Sequence, residues 1–155
     1  MNMYMFVKTL HVISATILFG TGIGIAFFKW IVDRSGDVAA IRVVSERVVL
    51  ADWIFTTPAI VVQILSGVYL AVTAGFPLTR GWLPCAIVLF FVAGACWIPV
   101  VMMQIQMRDL ARRAHETGTP LPEKYRRDSR VWFWLGVPAF GSLVVIYWLM
   151  VAKPF

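Results

Sequence analysis

The chain has 155 residues, of which 60% are hydrophobic and only 14% are charged. Soluble domains carry about a quarter charged residues, so this composition excludes an ordinary soluble protein. The net charge of +6 does not indicate nucleic-acid binding, because the basic residues are interleaved with acidic ones. We expect one integral membrane domain over residues 1–155, with the lipid bilayer as its main partner.

Four apolar runs stand out along the chain, at residues 5–31, 53–75, 82–105 and 132–152. Each is long enough to cross about 30 Å of hydrocarbon as a helix. A helix also satisfies its own backbone hydrogen bonds, which lipid requires. The sequence therefore predicts an all-α bundle of four transmembrane helices.

The segment between the first two spans has its own helical pattern. Ser35-Gly36-Asp37 offers a helix start, and apolar residues then recur at helical spacing, at Val38, Ile41, Val44 and Val48. This pattern predicts a short amphipathic helix at the cytoplasmic interface, which would continue into the second span.

The orientation follows from the distribution of Lys and Arg. The first and third connections with their margins hold eleven basic residues, against three on the other side. Basic residues concentrate on the cytoplasmic side of membrane proteins. We therefore expect a bacterial inner membrane protein with both connections in the cytoplasm and both termini outside.

His11 is the one histidine within a predicted span. Its helical face includes Ser14 and Gly22, small residues that leave room for another helix or a flat ligand. One interpretation is a histidine hydrogen-bonded across a helix interface, facing the bundle interior. The other is a ligand to haem b or to a metal, with Met150, another subunit or no residue as the second axial ligand, or else a proton relay.

Polar residues on the other spans form a second group of candidates. Asp52, Thr56 and Gln63 follow one stripe of the second span, and Gln104 and Arg108 share a face of the third. Interhelical hydrogen bonding is one interpretation, with Gln63 directed toward protein. A polar ligand pocket or proton path is the other.

Two further patterns carry weaker hypotheses. Met1, Met3 and Met5 precede His11 and have the soft donor atoms that Cu(I) prefers. Thr16, Gly20 and Gly24 form a small-residue stripe that predicts close helix packing within the bundle, or alternatively a homo-oligomer seam. Motifs of soluble enzymes are absent from the sequence, and whether the protein is an enzyme stays open.

The N-terminal segment from Met3 to Ile13 resembles the start of small bacterial four-helix membrane proteins. These include copper-resistance D-like proteins and the small membrane protoporphyrinogen oxidase family. Three further segments resemble the oxidase family: Thr57-Pro58-Ala59, Tyr125-Arg126-Arg127 and residues 151–155.

A related family of predicted integral membrane proteins of unknown function has the most similar pattern. Its likeness covers His11, Asp52-Trp53, Pro58-Ala59, Gln63, residues 97–101 and residues 132–138.

The resemblance implies a haem or porphyrin pocket in which His11 is the ligating residue. The oxidase family has further histidines at two positions where this chain reads Phe27-Phe28-Lys29-Trp30 and Trp82 to Ala86. Two function classes therefore compete. The first is a redox or haem-binding protein. The second is a non-catalytic component, which handles copper, transports a solute or serves as an accessory subunit.

The charge asymmetry predicts the topology. A reporter enzyme that is active only outside the cytoplasm should be active when fused after Phe155, because that end carries few basic residues. The same reporter inserted at Gly118 should be inactive. The reverse pattern of activity would show that the predicted orientation is wrong.

Overall fold

The protein forms four long helices in up-down-up-down order, as predicted. The computed structural model describes residues 2–154. Its elements are α1 (Met3–Ser35), α2 (Val38–Ala51), a π-helical segment (Asp52–Thr56), α3 (Thr57–Thr73), α4 (Trp82–Thr117) and α5 (Glu123–Ala152). Helix α2, the π-helical segment and α3 form one continuous helix. The described residues therefore contain four helices that are long and apolar enough to span a membrane. The described residues contain no strand.

The end of the bundle where α1 joins α2 and α4 joins α5 holds most of the Lys and Arg residues, and we call it the basic end. Two glycines terminate helices here. Gly36 ends α1 with φ 72°, and Gly118 ends α4 with φ 64°. Glycine adopts this left-handed conformation without steric cost. Asp37 then caps α2 by accepting from the backbone N–H groups of Ala39 and Ala40.

The predicted amphipathic helix is present as α2, and its apolar face contacts protein. Helix α4 has 36 residues, a length of about 54 Å, so it extends well beyond a bilayer core. Helix α2 packs against α4 and α1 at the basic end. Ile41 of α2 lies in a buried cluster with Met107, Ala111, Tyr125 and Trp132.

Elsewhere the helices pack as two pairs. Helix α1 packs against α3, and α4 packs against α5. Within residues 2–154, α3 makes no extended contact with α4 or α5. The two pairs are joined by α2 at the basic end and by a limited contact between α1 and α5. This arrangement leaves a gap between the pairs inside the membrane-spanning part.

The small-residue stripe of α1 does not pack within the bundle, contrary to expectation. A Cβ atom added to Gly20 or Gly24 would meet no described atom within 4 Å. The close approach occurs instead at Gly22, where a Cβ atom would lie 2.8 Å from Cζ of Phe140. The GxxxG spacing shows that small residues recur along α1, but it does not show which side of the helix faces the bundle. A homo-oligomer seam at Gly20 and Gly24 stays a prediction.

A buried charge network holds α1 against α5 near the basic end. The side chain of Lys29 is 1% exposed. Its Nζ donates to both carboxylate oxygens of Asp33, at 3.1 and 3.0 Å, and to the Tyr125 hydroxyl at 2.8 Å. Tyr125 and Ser129 of α5 donate in turn to the two oxygens of Asp33, at 2.6 and 2.7 Å. The ammonium also lies 5.7 Å from the ring centre of Trp132.

This network predicts the effect of removing its acid. In Asp33→Ala the Lys29 ammonium stays buried without its counter-charge, so the free energy of unfolding should fall by about 3–5 kcal/mol. Unfolding by SDS titration in mixed micelles measures it. The matched control is Asp109→Ala, which breaks a partly exposed pair with Arg108 and should cost at most about 1 kcal/mol. Equal losses in the two variants would contradict a stabilising role for the network.

Candidate functional site

A cavity of about 790 Å³ occupies the gap between the two helix pairs. This volume is within the range of small-molecule sites, about 300–1,000 Å³. All four long helices contribute to its wall. The wall is mostly apolar, and its aromatic members are Phe90, Phe91, Trp97, Trp132, Phe133 and Phe140.

The cavity has one polar end, which lies toward the basic end of the bundle. Asp52, Thr56 and Gln104 contribute to the wall there and are all more than nine-tenths buried. The Thr56 hydroxyl donates to Asp52 Oδ1 at 2.8 Å. The side chain of Gln104 reaches beside Asp52 from α4, so α4 and the π-helical segment meet at this end.

Four polar atoms at this end have no hydrogen-bond partner among the described residues. They are Asp52 Oδ2, Gln104 Oε1 and the indole nitrogens of Trp97 and Trp132. Buried polar atoms are almost always paired, because an unpaired one loses its bond to water without replacement. All four atoms belong to residues of the cavity wall, although the atoms themselves are buried; Asp52, Trp97 and Gln104 also line a smaller cavity of about 80 Å³.

Local backbone chemistry explains how Asp52 comes to face the cavity. Pro58 has no N–H and therefore cannot donate to the carbonyl of Ile54. The helix widens before it, and the N–H of Thr57 donates to the carbonyl of Asp52. Such π-helical turns are frequent at functional sites.

Two glycines enlarge the cavity. Gly94 of α4 and Gly136 of α5 belong to its wall, and a Cβ atom on either would meet no described atom within 4 Å.

The cavity is accessible from the side, because α3 and α4 do not pack together. Ile64 of α3 and Phe91 of α4, which face this gap, are 48% and 71% exposed.

His11 lies elsewhere, between α1 and α3 and outside the described cavity wall. Its Nδ1 is 2.8 Å from Ser66 Oγ, and its ring lies against Gly67. Gln63 Nε2 donates to the His11 carbonyl at 2.7 Å and to Ser14 Oγ at 3.1 Å. Gln63 thus contacts protein, as predicted. Gln63 was also expected to share one face with Asp52 and Thr56. The structure separates them, because Asp52 and Thr56 line the cavity whereas Gln63 bonds to α1.

The hydrogen bonds around His11 fit one tautomer. The hydroxyl of Ser66 is directed at the Val62 carbonyl, which leaves Ser66 Oγ to accept from His11. This arrangement corresponds to the tautomer with the proton on Nδ1 and a lone pair on Nε2. This is the state in which a histidine ligates a metal through Nε2 while its other nitrogen is held by a partner.

The other candidates from the sequence do not lie beside His11, and only Gly22 among them belongs to the described cavity wall. Gly22 lines the cavity beside Phe140 and not the surroundings of His11, since about 16 Å of helix separates the two positions. Arg108 pairs with Asp109 at 2.9 Å and is not part of the described wall. Met150 packs with the α4–α5 cluster of Trp82 and Leu149.

The methionines of the copper hypothesis are at the start of α1. Met3 and Met5 are more than half exposed, and Met1 lies outside the described residues. Met5 and His11 are separated by about 9 Å of helical rise. Among residues 2–154 there is no group of three or more His, Cys, Asp or Glu side chains placed to hold a metal ion.

Sequence reasoning did not identify the two indole donors. Trp97 and Trp132 entered only through the segments 97–101 and 132–138 of the family resemblance. The spacing of Trp97 was an available signal, since it lies seven residues before Gln104 and therefore shares a helix face with it. The position of Lys29 inside the first apolar run was the available signal for its burial.

A comparison with known families agrees with this architecture. A family model described as "Predicted integral membrane protein (DUF2269)" matches residues 5–154. The chain belongs to this family. It is therefore an integral membrane protein of a family whose function is unknown. No curated protein and no solved structure matches the chain.

Proposed function

We propose that this protein binds a neutral, largely apolar molecule within the bilayer, in the cavity between its two helix pairs. The polar end of the ligand would meet Asp52, Gln104, Trp97 and Trp132. The observation that carries this proposal is the group of four unpartnered polar atoms on one cavity wall. A ligand that bonds to them recovers free energy that the empty site lacks.

The charge of the wall supports a neutral ligand. In the part of the chain that the structure describes, no Lys or Arg side chain lines the cavity, and Asp52 is its one carboxyl group. An anionic head group would find no counter-charge there. A cation would have Asp52 alone as partner, with the remaining wall almost entirely apolar.

The lateral gap supports exchange of the ligand with lipid. The exposed apolar side chains of Ile64 and Phe91 let a hydrophobic molecule enter without crossing water. In the proposed inner-membrane orientation, the polar end of the cavity lies toward the cytoplasm and both termini lie outside. A binding or transport role of this kind belongs to the non-catalytic class of function.

Filling the cavity tests the proposal. Gly94→Leu with Gly136→Leu should insert two side chains into free space, so the fold should persist while the ligand is excluded. Lipophilic molecules extracted from protein purified in mild detergent are identified by mass spectrometry. At least one should copurify stoichiometrically with the wild type and fall about tenfold or more in the filled variant.

Gly141→Leu is the matched control, because Gly141 is also a glycine of α5 without near neighbours but lies outside the described wall. It should retain the copurifying molecule at the wild-type amount. An identical extract from all three proteins would contradict ligand binding in the cavity.

A second candidate function is haem b binding through His11, which the resemblance to the protoporphyrinogen oxidase family implies. One observation favours it: Ser66 holds Nδ1, so the Nε2 lone pair of His11 is available as an axial ligand. A bound haem would supply electron-transfer chemistry. In this chain, Ser66 would orient the imidazole, and Gln63 would hold α3 against α1 at that level.

The His11 candidate has a separate test. Wild-type protein purified with haem should show a Soret absorption band, and His11→Ala should lose it while keeping its helical circular dichroism. Gln63→Met is the positioning control, since it removes two interhelical hydrogen bonds but no axial ligand. Metal analysis of the same samples tests copper. A His11→Ala spectrum identical to that of the wild type would contradict ligation by His11.

A further inference from the structure

We infer that the ligand of the cavity is a quinol, an aromatic ring with hydroxyl groups and an apolar tail. This inference rests on the binding function proposed above and names its ligand class. Three properties of the site lead to it: the hydrogen-bonding capacity of the polar end, the aromatic wall, and the lateral gap.

The polar end requires a ligand that both donates and accepts. The indole N–H groups of Trp97 and Trp132 can only donate, so they need acceptors. The amide oxygen of Gln104 can only accept and has no partner, and the Asp52 carboxyl lies beside this amide. A phenolic hydroxyl accepts from an indole and donates to an oxygen at the same time. A quinone carbonyl only accepts and would leave the oxygen of Gln104 without a partner.

The wall of the cavity suits a ring. Six aromatic side chains line the cavity, and rings stack or meet edge to face with a gain of about 0.5–1.5 kcal/mol beyond area burial. Phe140 is already held edge-on by Phe19, with ring centres 5.8 Å apart. A linear alkyl chain would not use this geometry.

The gap between α3 and α4 suits a tail. If the quinol ring lies beside Asp52, its tail would pass along apolar wall residues toward Ile64 and Phe91. Both of these side chains are exposed at the gap. An isoprenoid tail could therefore extend into lipid while the ring is enclosed. The neutrality of a quinol agrees with the lack of Lys and Arg in the described wall.

The test compares three probes on the purified protein: decylubiquinol kept reduced under argon, decylubiquinone, and geranylgeraniol, a neutral alcohol without a ring. Each is scored by the rise in the midpoint of thermal unfolding, converted to a Kd. The quinol should bind about tenfold more tightly than the quinone. Geranylgeraniol should bind more weakly than the quinol.

Variants of the polar end separate its donors from its acceptors. Asp52→Asn and Gln104→Met remove an acceptor, so each should reduce the preference for quinol over quinone. Either variant suffices if the other fails to fold. Trp97→Phe keeps an aromatic ring but removes an N–H donor, so it should weaken both ring probes. Trp148→Phe is the control, because Trp148 is 57% exposed and lies outside the described wall.

The outcomes distinguish this inference from the proposed function. If geranylgeraniol stabilises the wild type but not Gly94→Leu with Gly136→Leu, and neither ring probe binds, the cavity is a ligand site and the quinol inference is wrong. Equal affinity for quinol and quinone would also overturn the inference. If no probe distinguishes the wild type from the filled variant, and their extracts are identical, both proposals are wrong.

Discussion

A polar group inside a bilayer has no water to bond, so its partners must come from the protein or from a ligand. The contacts of this bundle follow from that constraint. Lys29 lies near the basic end, and its ammonium is paired with Asp33 of the same helix and with Tyr125 of α5. Gln63 of α3 donates to the backbone and side chain of α1. The bonds of Lys29 to Tyr125 and of Gln63 to α1 join helices that apolar contact alone would not hold in register, since lipid tails are as apolar as the side chains.

Among the described residues, four of the five buried side-chain atoms without a partner belong to one cavity wall, and the fifth is Arg42 Nε of α2. Asp52, Gln104, Trp97 and Trp132 come from three different helical segments, yet all four residues line the same cavity. Scattered unpaired groups would be costly without any benefit. Groups that converge on an apolar space of ligand size instead form the usual pattern of a binding site, in which few polar atoms orient a mainly apolar molecule.

The cavity itself follows from how the helices are joined. Helix α2 holds α4 at the basic end, and Tyr147 of α5 donates to the Ala15 carbonyl of α1 at 2.6 Å. Between these points α3 stays with α1 and does not reach α4. Glycines at positions 94 and 136 then leave space where larger side chains would have filled the gap.

Much of the fold could be read from local properties of the chain. Span length, hydropathy and helix-ending glycines depend on neighbouring residues, so the four helices and the α2 segment were predictable. Individual polar residues such as Gln63 were predictable as protein-facing for the same reason, because lipid offers them no partner.

The assignment of partners depended on the tertiary structure. Helical periodicity places His11 and Gly22 on one face, but only packing shows that His11 meets Ser66 and Gly67 while Gly22 meets Phe140. The polar stripe of the second span was predicted as one face. In the structure, Asp52 and Thr56 of the π-helical segment line the cavity, while Gln63 bonds to α1. The sequence determined which residues are polar and where the helices run. Only the packing of the helix pairs decided which of those polar atoms bond to each other and which stay without a partner.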